Sequence, residues 1–96
     1  MRREVLELLK LGKLPTDKDG DTYWDEYFLI LDSIEEPTTI EEAEALLQCF
    51  HDSEEEGAHG GAQTLMHIIE SSGFRFKTRP DFRNAWHRYM WERQNR

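Results

Sequence analysis

Basic residues are nearly absent from the middle of this chain. From Leu14 to Ser72 there is one, Lys18, against sixteen Asp and Glu. Cysteine is as scarce. Cys49 stands alone, so no internal disulfide can form, and the lack of cysteine pairs suits a reducing cytoplasm. No apolar run approaches the roughly 20 residues that span a bilayer. The opening Val5–Leu11 stretch is broken by Glu7 and Lys10, unlike a signal peptide. These absences exclude a disulfide scaffold and a helical membrane span, and they lead us to expect a cytoplasmic protein. Disorder is excluded by what is present: 3 Trp, 3 Tyr and 5 Phe in 96 residues supply large apolar areas from few positions.

The charge lies in blocks. The first thirteen residues carry four basic and two acidic groups, the middle is acidic, and Gly73–Arg96 holds seven Lys and Arg against Asp81 and Glu92. The net charge is −8. At this length one helical domain is expected, with a modest core.

Periodicity reads as helix nearly throughout. Val5, Leu6, Leu8, Leu9 and Leu11 give a short apolar face, and Gly12 stops it. Leu14–Gly20 is a loop, after which Asp21 or Thr22 caps a second helix. That helix carries the stripe Tyr23, Trp24, Tyr27, Phe28, Leu31 and Ile34, and Pro37 ends it. Thr38 and Thr39 each precede a Glu by three residues, the capping-box spacing, so a third helix should run from about Ile40 to Phe50. Its inward set is Ile40, Ala43, Leu46, Leu47 and Phe50. Ser53 and Glu56 repeat the capping spacing. The fourth helix carries Ala58, Ala62, Leu65, Met66, Ile68 and Ile69 inward, and its glycines move its start towards Gly61. It ends near Ser71. Phe74–Thr78 alternates and reads as an extended connector. Pro80 suits the first position of a last helix with Phe82, Ala85, Trp86, Tyr89 and Met90 as its stripe. The expected fold is all-α, a compact bundle of about five short helices, in which helices three and four loosely resemble one hairpin of an α-solenoid.

Chemistry is harder to find. Asp17, Asp19 and Asp21 open like an EF-hand calcium loop, but position six is Thr22 instead of Gly and position twelve is Phe28 instead of Glu. The segment reads better as a turn capping the next helix. His51, His59 and His67 are eight apart, not the four that pair ligands on one helix face, so no metal site is expected. His67 reads as a half-buried structural residue and His59 as a contact group. Cys49, within Leu46, Leu47 and Phe50, reads as a buried thiol. The serines sit at capping positions, and Gly57–Gly61 lacks the Lys of a phosphate loop. No catalytic constellation is present, so neither an enzyme nor a cofactor is expected. Trp86 and Tyr89 of the basic end belong to the apolar stripe, and the acidic body would repel phosphates, so direct nucleic-acid binding is not expected. Arg79, Arg83 and Arg88 could instead pair with the acidic helices.

Two stretches give the chain its character: the acidic, glycine-rich run Ser53–Gly61, and the aromatic and acidic run Asp21–Phe28. With its size, acidity and helical pattern, the chain resembles the immunity proteins of bacterial polymorphic-toxin and contact-dependent inhibition systems. The resemblance implies a non-catalytic inhibitor that binds one cognate toxin, in a one-to-one complex. It carries over no binding residue. On charge, the expected steering groups are Asp17, Asp19, Asp21, Asp25 and Glu26, with Asp52, Glu54, Glu55 and Glu56. Tyr23 or the face of Trp91 would anchor the contact, and His59 would join it. The partner would be a toxin, a nuclease for preference, or another basic protein. Three other readings stand beside this one: a surface acidic only for solubility, an adaptor domain that mimics DNA, and a calcium-responsive domain.

Overall fold

The apolar spacing near the N-terminus folds as a helix. In the computed structural model, which describes residues 1–51, 60–80 and 84–95, α1 spans Arg3–Leu11 and buries Val5 and Leu8. It stops at Gly12, whose φ of +104° residues with a Cβ rarely adopt. The second helix, α2, spans Asp21–Ser33. Gly20, in extended conformation, is its N-cap, so Asp21 is the first helical residue and not the cap. There its carboxylate meets the positive end of the helix dipole. Tyr27 and Leu31 are buried, and Tyr23, Trp24 and Phe28 are half-buried.

The third helix is shorter than its pattern suggests. α3 covers Ile40–Leu46 and tightens into a 3₁₀ turn over Leu47–Cys49. Thr39 and Glu42 form the full capping box. Thr38 does not cap: its hydroxyl donates to the Ile68 carbonyl at 2.8 Å and its N–H to Ser71 Oγ at 3.2 Å, joining α3 to the end of the next helix. Ile40, expected inside, is 53% exposed. It lies roughly 110° around the helix from the face formed by Glu42, Ala43 and Leu46. α4 spans Gly61–Glu70 and buries Ala62, Leu65, Met66, Ile68 and Ile69 as its spacing predicts, while Ala58 of the same expected set lies outside the described residues. His67, expected half-buried, points away from that face and is exposed. The last helix, α5, spans Ala85–Gln94. Pro80 is not its first residue. Asn84 caps it instead, its side-chain oxygen accepting from the N–H groups of Trp86 and His87.

The architecture is all-α. α1 packs on α2 and α3, and α3 packs on α4. The shortest dimension, 18 Å, admits two layers of helix. Val5, Leu8, Tyr27, Leu31, Leu46, Phe50, Leu65 and Ile69 form the centre of one core, which Trp86 and Met90 extend from α5. Among the described residues the Phe74–Thr78 connector has no strand to pair with. Gln94 substitutes for one, its amide accepting from the Phe76 N–H at 2.8 Å and donating to the Phe74 carbonyl at 3.2 Å.

A buried carboxylate closes the bundle. Glu42 is 2% exposed. Its Oε2 accepts from the Arg2 backbone N–H at 3.1 Å and from Arg2 Nε at 3.0 Å, while Oε1 accepts from the Thr39 N–H at 2.9 Å. Arg2 uses its remaining N–H groups on the carbonyls of Glu35 at 2.6 Å and Pro37 at 3.1 Å. The N-terminus of α1, the α2–α3 connection and the first turn of α3 therefore meet at one ion pair. Burial alone would raise the Glu42 pKa. The hydrogen bonds from Thr39 and Arg2 override it and hold the carboxyl down at about 2.

A lowered carboxyl pKa stabilises the fold above its unfolded value and stops doing so as pH falls towards the folded value. Glu42 should therefore contribute about 3 kcal/mol at pH 7, lost between about pH 5 and pH 2. Urea denaturation of Glu42→Gln should show a loss of that size at pH 7 and near equality with the wild type at pH 2. An equal deficit at both pH values would contradict the assignment.

Candidate functional site

The orientation of α2 is set by the polar tips of its aromatic side chains. When α1 ends at Leu11, its last carbonyls have no helical partner. The Tyr27 hydroxyl donates to the Gly12 carbonyl at 2.8 Å. The Tyr23 hydroxyl lies 2.6 Å from the Lys13 carbonyl and 3.2 Å from that of Leu11. Trp24 Nε1 donates to the Thr16 carbonyl at 3.0 Å. Tyr27 is fully buried and the half-buried rings of Tyr23 and Trp24 pack against the core, so α2 cannot turn about its axis without losing both packing and hydrogen bonds. Its opposite side, with Asp21, Thr22, Asp25, Glu26, Leu29, Asp32 and Ser33, is left facing water.

The two aromatics expected to be exposed anchors, Tyr23 and Trp91, are less exposed than that reading supposed. Tyr23 is half-buried and holds the α1–α2 loop. Burial, then the Asp19 carboxylate, push its phenol above the usual pKa. Trp91 is also half-buried, with the Arg79 guanidinium 5.8 Å from its ring centroid. Cys49 is fully buried, and burial raises its thiol pKa, as expected of a structural thiol.

The acids that were expected to steer a partner divide into groups. Asp17, Asp19, Asp21, Asp25 and Glu26 are all exposed. Asp19 has a local role: its Oδ2 accepts from the Thr16 N–H at 2.8 Å and lies 3.3 Å from the Thr16 hydroxyl, closing a turn where the calcium-loop spacing begins. Asp52, Glu54, Glu55, Glu56 and His59 lie outside the described residues, as does the Ser53 cap. Among the described residues, no group of three or more His, Cys, Asp and Glu is placed to hold a metal ion. His51 and His87 instead contact the Leu14 and Leu47 carbonyls.

Leu29 was missed in the sequence, and Asp32, though counted in the acidic middle, was not placed among the steering groups. The available signal was their position off the aromatic stripe, at helical spacing from Asp25 and Glu26. Leu29 is 76% exposed, the highest value among the exposed large hydrophobic residues of the described part of the chain. Its neighbours three and four residues away on the helix surface are Asp25, Glu26, Asp32 and Ser33.

Among the described residues no ion pair includes Asp21, Asp25, Glu26 or Asp32, although Lys10 lines a groove together with Glu26. The ion pairs among the described residues include Arg2–Glu42, Arg3–Glu7, Arg88–Glu92 and Arg93–Glu70. Of the three arginines expected to meet the acidic helices, Arg88 pairs with Glu92 on its own helix, Arg79 lies over Trp91, and Arg83 is outside the described residues. Asp32 is also placed against the dipole. It sits in the last turn of α2, where no basic residue offsets the negative helix end. The geometry can attract and orient a positively charged macromolecule, but the α2 face offers no paired acid and base for chemistry. No protein-family model matches the chain, and neither a curated protein nor a solved structure shows significant similarity to it.

If the α2 tyrosines are structural and the α2 acids are not, stability will separate them. Tyr27→Phe should lose about 1–2 kcal/mol and Tyr23→Phe about 1 kcal/mol by thermal or urea unfolding. Asp32→Asn should be neutral or should gain at most about 0.5 kcal/mol, because it removes a charge from the wrong end of a helix. A large loss for Asp32→Asn would show that the carboxylate has a structural role.

Proposed function

We propose that this chain is an immunity-type protein that binds and neutralises a cognate toxin in the bacterial cytoplasm, docking through its acidic surface in a one-to-one complex. The observation that carries the reading is the row of exposed carboxylates on α2 that form no ion pair among the described residues, one of them opposed to the helix dipole. Such a row gives up a little stability to self-repulsion and the dipole. A positive partner surface would convert that loss into association rate and selectivity. A nuclease is the favoured target class, because its active site is shaped to hold phosphates and carboxylates can occupy the same positions. A helical adaptor that mimics DNA would use the same charge, but it would compete with nucleic acid for an enzyme and would have no neighbouring toxin gene.

The test begins with the product of an adjacent toxin-like gene, purified and titrated against this protein. Association should slow at least tenfold between 50 and 500 mM NaCl, because exposed charges are screened within a Debye length of about 10 Å at 0.1 M. The triple variant Asp25→Asn, Glu26→Gln, Asp32→Asn should associate about tenfold more slowly at low salt and show a flatter salt dependence. An association rate unchanged by both salt and these substitutions would remove the α2 acids from the interface.

A further inference from the structure

We infer that the outward face of α2, with the groove it forms against α1, is the docking surface for a basic amphipathic helix of the partner, anchored at Leu29. The inference rests on the basic-partner reading above and goes on to name the contact. The groove has a volume of about 540 Å³ and is lined by Glu7, Lys10, Leu11, Glu26 and Ile30. Glu26 links its two parts: it lines the groove and is also the i−3 neighbour of Leu29. Apolar surface from Leu29, Ile30 and Leu11 is thus bordered on α2 by Asp25, Glu26 and Asp32, and on α1 by Lys10 and by Glu7, which Arg3 already pairs.

A single exposed leucine is ordinary on a protein surface. Leu29 differs in its surroundings, because three of its four nearest helix neighbours are carboxylates in no ion pair among the described residues. A neutral or acidic partner that covered Leu29 would bury those charges unpaired, at high cost. A partner whose apolar residue is flanked by Lys or Arg covers the leucine and neutralises its border together. A helix is the fitting form for that partner. Among the described residues there is no strand, so no sheet edge is open for strand addition, whereas a groove between helices accepts apolar residues at i, i+3, i+4 and i+7. Charged residues around a central apolar anchor also match the usual anatomy of an interface, with its apolar centre and polar rim.

The experiment uses the full chain, labelled with ¹⁵N, and three synthetic 18-residue peptides of Leu and Lys. One places its leucines on a single helical face, one has the same composition scrambled, and one replaces Lys by Glu. The amphipathic basic peptide should bind, with amide shifts concentrated in Asp25–Ser33 and Glu7–Leu11. The scrambled peptide should bind at least fivefold more weakly, and the acidic peptide should not bind. Leu29→Ser should weaken the first peptide at least fivefold. Leu6→Ser should leave it unchanged, because Leu6 is 52% exposed but is not among the groove residues. Both leucines are exposed, so neither variant should fail to fold. Wild-type affinity in Leu29→Ser, or shifts spread evenly over the acidic surface, overturns the inference. If Leu29→Ser is silent while the triple amide variant loses binding, the anchor is wrong and the basic-partner reading stands. If no peptide binds, this docking mode falls, and the toxin reading still answers to its own salt and association measurements.

Discussion

The bundle depends on one ion pair, between Arg2 and Glu42. A carboxylate taken from water is costly unless its oxygens are fully engaged. Here they accept from Arg2 twice and from Thr39 once, and the Arg2 guanidinium also bonds the carbonyls of Glu35 and Pro37. The result is more than a local cap. It fixes the start of α1 against the exit from α2 and the entry to α3, three points separated by up to forty residues. With both ends of α2 located, by Arg2 beyond its C-terminus and by the tyrosine and tryptophan bonds near its N-terminus, the helix has one orientation.

The same residue type then serves opposite ends. Glu42 is inside, with every oxygen engaged, and its charge is stabilised. Asp25, Glu26 and Asp32 are outside, in no ion pair among the described residues, and their charge is available. The difference lies in the supply of donors. Inside, a guanidinium and a helix start provide fixed N–H groups. Outside, water provides mobile ones, and the negative potential extends into solvent. Part of the basic C-terminal region is engaged elsewhere: Arg93 meets Glu70 at 3.3 Å and lies 5.7 Å from the Tyr89 ring centroid, and Arg79 covers Trp91.

Much of the fold could be read from local pattern. The Gly12 stop, the Thr39–Glu42 box, the inward set of α4 and the burial of Cys49 all follow from spacing, because a helix face and a cap involve residues three or four apart. The misreadings came where a local rule had two legal outcomes. Thr38 and Thr39 both had a Glu at capping distance, and only the hydroxyl contact of Thr38 with Ile68 chose between them. Ile40 belongs to an apolar pattern but sits one residue inside a cap, where α3 had already turned its buried face to Glu42. Pro80 fits a helix start as well as Asn84 does, and the paired N–H bonds to the Asn84 side chain decided the matter. Tyr23 was expected to be an exposed anchor because tyrosine is frequent at interface hot spots, and it is half-buried. Its partners, the Leu11 and Lys13 carbonyls, exist only once α1 has ended and folded back.

The amino-acid sequence alone determined the helical class, most helix centres and the separation of charge into blocks, because these depend on composition and on intervals of a few residues. It could not say which of the sixteen central acids would be buried, or that Leu29 would stand among exposed carboxylates. Those outcomes depend on where distant segments meet. A carboxylate goes inside only if a guanidinium arrives from forty residues away, and a helix face stays in water only if every other element packs on the opposite side. Spacing along a chain carries no information about either until the tertiary contacts have formed.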